Sequence, residues 1–207
     1  MNDFSAYLLR SLRGAWRNGC GEEARRAALT TPFLFLAGFA SAYFLPQLSG
    51  SLLSLLEQAL ASIDVGSGEA GNIATAIFAN NLTAGFSAII WGLVPFAYLS
   101  AFPLGFNFFL LGVMGAYYVQ SGPGFGVFLV GVLPHGIFEL PALVLFCAAG
   151  LYLCSRVTAR VRGDKEVSIM QALADVSSLF LYVVLPLLAA SSLIEAYVTP
   201  RLLELVL

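Results

Sequence analysis

Long apolar stretches separated by short polar segments dominate the chain. A hydrocarbon layer about 30 Å thick is crossed by an α-helix of about 20 apolar residues. The pattern predicts an all-α, polytopic transmembrane helical bundle with about five spans, in which one membrane domain covers residues 31–200 and a short tail covers residues 201–207. The apolar stretches run from Thr31 to about Leu45, Leu82 to Phe102, Pro103 to Val119, Phe125 to Cys154 and about Ala174 to Ile194.

The first 30 residues follow a different pattern, in which apolar side chains recur every three or four positions and arginines alternate with them. The apolar positions are Phe4, Tyr7, Leu8, Leu12 and Trp16, and the arginines are Arg10, Arg13 and Arg17. This spacing predicts an amphipathic basic helix over residues 1–30 that lies on the cytoplasmic membrane surface. The default role of such a helix is a membrane anchor, and the alternative is a partner-binding helix with Trp16 and Arg17 as the candidate partner-binding residues.

Composition and charge place the chain in a membrane and orient it. The 207 residues are 59% hydrophobic and 11% charged, which excludes a soluble globular protein. Basic residues mark the cytoplasmic side of membrane proteins, so we predict an integral protein of the cytoplasmic (cell) membrane with a cytoplasmic N-terminus. Nine of the ten basic residues form two clusters, Arg10, Arg13, Arg17, Arg25 and Arg26 before the first span and Arg156, Arg160, Arg162 and Lys165 after the fourth.

The fourth apolar stretch contains the single histidine of the chain. His135 and Glu139 are four residues apart and share one face of a helix. Ionisable side chains in hydrocarbon cost about 2.5–3.5 kcal/mol each on insertion scales, so they face other helices or a wet cavity and are functional candidates. Pro134 and Pro141 flank the pair and predict a kinked or broken helix between them. The sequence leaves open whether the stretch crosses once or contains a re-entrant portion.

Few other polar residues lie within the apolar body. The predicted intramembrane polar cluster comprises Asn80 and Asn81 at the mouth of the second span, His135, Glu139, and Glu195 at the end of the last. Three roles stay open: an interhelical hydrogen-bond cluster, a proton or ion pathway, and a metal site of one imidazole and two carboxylates. Because the sequence has neither a second histidine nor a His-Glu-x-x-His motif, we predict no metal, no cofactor and no catalytic residue.

Three segments taken in order resemble the stage II sporulation protein M family. They are Ala79-Asn80-Asn81, Pro134-His135-Gly136-Ile137-Phe138-Glu139-Leu140-Pro141-Ala142 with Ala148-Ala149-Gly150-Leu151, and Ile194-Glu195-Ala196-Tyr197-Val198-Thr199-Pro200. The resemblance covers about Thr31 to Pro200. It implies a multi-span membrane protein rather than an enzyme. The founding members of the family act with peptidoglycan-degrading proteins during engulfment of the forespore, and relatives occur in organisms that never sporulate.

The residues and the resemblance together predict a non-enzymatic membrane scaffold that recruits cell-envelope or peptidoglycan-remodelling machinery. The expected partners are the lipid bilayer, further copies of the chain in a homo-oligomer with a dimer favoured, and cell-wall hydrolases or other envelope proteins, but no nucleic acid. The outer loop from Pro46 to Asn72 and the basic surfaces would contact them. The alternative is a membrane subunit of a transporter or permease in which His135, Glu139 and Glu195 form a midplane polar site.

Overall fold

Five long helices form the protein, within the residues that its computed structural model describes: 10–45, 47, 50–51 and 70–206. All five are long and apolar enough to cross a membrane, and no β-strand occurs in the described ranges, which confirms the predicted all-α bundle with five spans. The helices are α1 (Arg10–Phe44), α2 (Ala70–Trp91), α3 (Ala101–Ser121), α4 (Phe125–Val161) and α5 (Ile169–Glu204).

Two predicted features lie partly outside the described residues. The amphipathic positions Phe4, Tyr7 and Leu8 precede Arg10, and the outer loop Pro46 to Asn72 is described at only a few positions. The predicted domain limits at residues 30 and 200 stay predictions, since the fold does not test them.

Helix α1 contains a bend near its start. A π-helical turn at Trp16–Cys20 precedes regular α-helix from Gly21 to Phe44, which runs without a break through residues 30 and 31. Gly19 in the π-helical turn has a φ of 134°, a conformation that glycine adopts readily and other residues rarely do. The basic start of the chain and the first span are therefore two helical segments that meet at a kink at Gly19.

The predicted limits of the second span, Leu82 to Phe102, are wrong. The observed span is Ile73–Trp91, and residues 92–100 form a non-helical connection to α3. Pro95 lacks the backbone N–H that would bond to the Trp91 carbonyl four residues earlier, so the helix cannot continue regularly. The connection is as apolar as the helix before it, with Phe96 half-exposed, and hydropathy alone did not reveal the break.

Helix α4 covers the fourth apolar stretch, for which the sequence left open one crossing or a re-entrant portion. It is one continuous α-helix of 37 residues with Pro134 and Pro141 inside it. The broken, re-entrant alternative is therefore wrong, and the chain crosses once. Each proline removes one hydrogen bond of the helix, the bond to the Val130 carbonyl for Pro134 and the bond to the Ile137 carbonyl for Pro141, and the helix continues past both. The Ser191 hydroxyl donates to the His135 carbonyl oxygen at 3.3 Å, and this contact joins α5 to α4.

The backbone contacts divide the chain into two compact units, and each helix contributes to both. As far as they are described, the first unit comprises residues 1–29, 81–104 and 139–188, and the second comprises residues 30–80, 105–138 and 189–207. In α4 the division falls between Phe138 and Glu139, inside an unbroken helix.

In the first unit, α2 and α4 meet with their backbones in contact. A Cβ added to Gly92 would overlap the Gly150 carbonyl oxygen, and one added to Gly150 would overlap that of Ala88. Small residues at a crossing allow this close approach between membrane helices. A core of seven buried residues packs beside it: Cys20, Ala149, Tyr152, Leu153, Ala172, Val176 and Leu179.

In the second unit, α1 and α3 cross at an equally close contact. A Cβ on Gly38 would overlap the Phe109 carbonyl oxygen, and one on Gly112 would overlap the Phe35 carbonyl oxygen. Aromatic rings surround the crossing, and the Phe35 and Phe128 ring centroids are 6.4 Å apart. The crossing therefore fixes how these two spans pack in this unit.

Candidate functional site

His135 contacts the end of α5 within the second unit. Its Nδ1 atom lies 3.3 Å from Thr199 Oγ1, and its carbonyl oxygen accepts the hydrogen bond from Ser191. Both hydroxyl residues are buried. Thr199 begins the last helical segment, Thr199–Glu204, directly after α5 is interrupted at Val198. The interruption turns the threonine hydroxyl toward the imidazole, so the two helices are joined at both the side chain and the backbone of His135.

The Thr199 hydroxyl contacts two groups. Its Oγ1 atom donates to the Ile194 carbonyl oxygen at 3.4 Å and lies within hydrogen-bonding distance of the imidazole. The tautomer of the ring decides which atom donates in the contact with His135, because either nitrogen of a neutral imidazole can carry the hydrogen.

Two carboxylates accompany the imidazole. Glu139 follows His135 by one turn of the unbroken helix α4, and Glu195 precedes Thr199 by four residues in α5. One potential ligand atom from each of His135, Glu139 and Glu195 lies within 4.8 Å of the others, and each side chain is half-buried. One imidazole and two carboxylates are ligands that zinc and iron accept.

The position of these residues along α4 indicates their depth in the membrane. At about 1.5 Å per residue, Glu139 lies about 25 Å and His135 about 31 Å along the helix from Arg156. If Arg156 marks one boundary of a hydrocarbon layer about 30 Å thick, both residues lie close to the opposite boundary. The spacing therefore favours a site near one membrane surface over the midplane position that the transport alternative assumed.

Asn80 and Asn81 lie inside α2 rather than at its mouth, because the helix begins earlier than predicted. The Asn80 side chain is exposed and the Asn81 side chain is half-buried. Within the described part of the chain, neither amide is hydrogen-bonded to His135, Glu139 or Glu195. The structure thus brings together three of the five residues predicted to form the polar cluster.

Sequence reasoning missed Asp175 of the first unit, which is 0% exposed and the most buried acid among the residues that the structure describes. Its carboxylate accepts hydrogen bonds from Asn18 Nδ2, the Tyr152 hydroxyl and Gln171 Nε2, each at 2.9 Å. These bonds join the start of α1 to α4 and α5. A signal was present in the sequence, since the predicted last span began at Ala174 and contained this acid with no basic residue nearby.

The two basic clusters predicted from the sequence lie in the first unit, where a direct contact joins them. The Arg156 guanidinium donates to the Asn18 carbonyl oxygen at 2.8 Å and lies 5.2 Å from the centroid of the Tyr152 ring. Trp16 is 53% exposed, and Arg17 is exposed beside it. We call the surface that carries these side chains the basic platform; it comprises Arg10, Arg13, Arg17, Arg25, Arg26, Arg156, Arg160, Arg162 and Lys165.

Comparison with known proteins gives a family match and one distant relative. The family model described as stage II sporulation protein M matches residues 27–200. An uncharacterized protein of Methanocaldococcus jannaschii is 28% identical over 127 residues, which cover 61% of this chain and 70% of that protein. No solved structure matches the chain.

Proposed function

The chain belongs to the stage II sporulation protein M family, and from this premise we propose that it is a non-enzymatic membrane scaffold that recruits cell-envelope or peptidoglycan-remodelling proteins. The five apolar helices and the family match show that the chain is a helical membrane protein of this family. The scaffolding role needs a surface outside the hydrocarbon on which other proteins can assemble.

The basic platform is the observation that supports scaffolding. Helix α4 has 37 residues and is about 55 Å long, so it exceeds a hydrocarbon layer of about 30 Å. The C-terminal end of α4, which carries Arg160 and Val161, is exposed. The Asn18 and Asp175 contacts hold the start of α1 against this end. Clustered basic side chains on an ordered surface favour acidic partners by electrostatic complementarity.

We propose that the platform faces the cytoplasm, that the membrane is the cytoplasmic membrane, and that the scaffold is a homo-oligomer with a dimer favoured. The bias of basic residues toward one side supports the orientation. The exposed Asn80 in α2 supports association between copies, because a polar amide in hydrocarbon is stabilised by a partner on another helix.

Recovery of partners from native membranes tests the scaffold. The protein is cross-linked in cells, extracted in mild detergent, and its partners are identified by mass spectrometry. We expect envelope proteins or cell-wall hydrolases, recovered several-fold less with the double variant Arg160→Gln/Lys165→Gln, because the neutralised platform attracts acidic partners less. Arg201→Gln is the matched control, since Arg201 is the one basic residue outside the first unit. Equal recovery with all three proteins would contradict recruitment by the platform.

A second candidate function is a membrane subunit of a transporter or permease. The observation that favours it is the convergence of His135, Glu139 and Glu195, whose side chains are half-buried rather than sealed from their surroundings. A site of this kind can exchange a proton or hold a small cation. In the scaffold the same residues act as hydrogen-bond partners that fix how the helices pack.

Substitution of Glu139 distinguishes the two candidates. In a scaffold, Glu139→Gln keeps the shape and hydrogen-bonding capacity of the side chain and should retain envelope function, whereas Glu139→Leu leaves buried partners unsatisfied at a cost of about 1–3 kcal/mol each. In a proton- or cation-coupled transporter, Glu139→Gln should abolish function in a folded protein. Both variants are assayed by complementation of a deletion strain at matched protein levels. Equal loss in the two variants would count against the scaffold.

A further inference from the structure

We propose that a groove in the first unit binds one anionic phospholipid, with the phosphate on Arg13 and Arg17 and an acyl chain along an apolar wall. The inference concerns a lipid ligand of this surface and stands independently of the proposed scaffold.

The groove has the shape and lining that a lipid tail requires. Its volume is about 560 Å³. Its apolar wall is formed by Leu12, Leu145, Leu179 and Val183, and its rim by Arg13, Trp16 and Arg17. The wall thus combines side chains from α1, α4 and α5 of one unit. An acyl chain lying along it would fill the groove and make van der Waals contact with these apolar side chains.

The rim supplies the charge that a lipid phosphate requires. Arg13 and Arg17 are four residues apart and exposed, so their guanidinium groups can approach one ligand from adjacent turns. Arg26 forms ion pairs with Glu22 and Glu23, but among the described residues no acidic side chain pairs with Arg13 or Arg17. Guanidinium groups bind phosphate oxygens through charge-assisted hydrogen bonds.

The depth of the wall favours a lipid over a soluble partner. Leu145 lies eleven residues before Arg156 in α4, which is about 16 Å along the helix. If Arg156 lies at the membrane boundary, the wall extends into the hydrocarbon layer while the arginines stay at its surface. A single molecule that reaches both regions must have an anionic head and an apolar tail, as an anionic phospholipid has.

Trp16 lies at the rim between the two regions, and the backbone holds it there. A Cβ on Gly21 would come within 2.7 Å of the indole ring, so the ring packs directly against the Gly21 backbone. Tryptophan is enriched at the boundary between head groups and hydrocarbon. The chain contains only two tryptophans, so Trp91→Phe leaves Trp16 as the sole fluorescent reporter in the groove.

The test is quenching of Trp16 by lipids that carry bromine on the acyl chains. Detergent-solubilised Trp91→Phe protein is titrated with brominated phosphatidylglycerol and, separately, with brominated phosphatidylcholine. We expect saturable quenching by phosphatidylglycerol at lower concentration than by phosphatidylcholine. Arg13→Gln/Arg17→Gln should weaken binding about 30-fold, since each arginine near an anionic surface contributes about 1 kcal/mol. The matched control, Arg25→Gln/Lys165→Gln, removes the same charge outside the groove and should bind as the parent does.

A second variant tests lipid binding even if the Arg13→Gln/Arg17→Gln protein does not fold. Val183→Phe narrows the groove at its apolar wall, and we expect it to weaken the binding of long-chain phosphatidylglycerol. It should not change the weak competition by inorganic phosphate, because phosphate contacts only the arginines. The proposal is overturned if both lipids quench equally, if the two charge variants lose binding equally, or if inorganic phosphate displaces the lipid completely. It is also overturned if cross-linking from Trp16 in native membranes captures a protein instead of lipid.

Discussion

Replacing Asp175 with leucine is expected to release the start of α1 from the first unit. The substitution leaves the donors of Asn18, Tyr152 and Gln171 without their shared acceptor, and each buried donor left unsatisfied costs about 1–3 kcal/mol. Cys20 is 0% exposed in the same core, so undocking should expose its thiol. The measurement is maleimide labelling followed by peptide mapping, in which Cys20 reacts and the other two buried cysteines stay protected.

Two controls separate this effect from a general loss of structure. Asp175→Asn keeps the shape and one acceptor oxygen, so Cys20 should be labelled far less than in the leucine variant. Asp164→Asn changes an exposed acid and should leave labelling unchanged. A leucine variant that kept both its parent melting temperature and a protected Cys20 would show that the Asp175 hydrogen bonds do not hold α1 in place.

Gly112→Val is expected to separate α1 from α3 in the second unit and to remove most of the folded protein. The new Cβ overlaps the carbonyl oxygen of Phe35. A backbone atom cannot rotate away as a side chain can, so the helices must move apart. Overpacking of a dense core costs about 1–3 kcal/mol and occasionally more, and we expect the upper end here. The measurement is thermal unfolding in detergent together with the yield of monodisperse protein.

Gly105→Val provides the control in the same helix. No atom lies within 4 Å of a Cβ added at Gly105, and valine has a better helix propensity than glycine by a few tenths of a kcal/mol. The control should therefore be as stable as the parent or slightly more so. If both variants had the same melting temperature, the contact between the two backbones would have no energetic importance.

The number of helices could be predicted from sequence because membrane crossing imposes a strict length on apolar segments. The residues at which the helices begin and end were less predictable. The predicted span Leu82 to Phe102 was wrong because the connection after Trp91 is itself apolar, so hydropathy did not distinguish helix from loop. The two prolines of α4 indicated a possible break, but each removes only one hydrogen bond from a helix of 37 residues, and the helix continues past both.

The candidate site was only partly predictable. His135, Glu139 and Glu195 stood out because ionisable residues are rare in hydrocarbon, and the structure brings them together. Thr199 was part of the quoted family segment but was not recognised as the partner of His135, since buried hydroxyls are common and carry no charge. Asp175 was not among the predicted residues, because two of the donors that satisfy it, Asn18 and Tyr152, are distant from it in the sequence.

The π-helical turn at Phe180–Val184 in α5 has a consequence for the history of this sequence. A π-helical turn holds one residue more than the α-helical turn it replaces, as a single-residue insertion would. Removing one residue there would leave an ordinary α-helical turn in its place, so Glu195 and Thr199 would keep their direction about the helix axis. The same deletion in a regular part of α5 would rotate everything that follows by about 100°. A relative whose alignment places a one-residue gap within this turn is therefore expected to keep the cluster, whereas a gap elsewhere before Glu195 in the helix is expected to displace it.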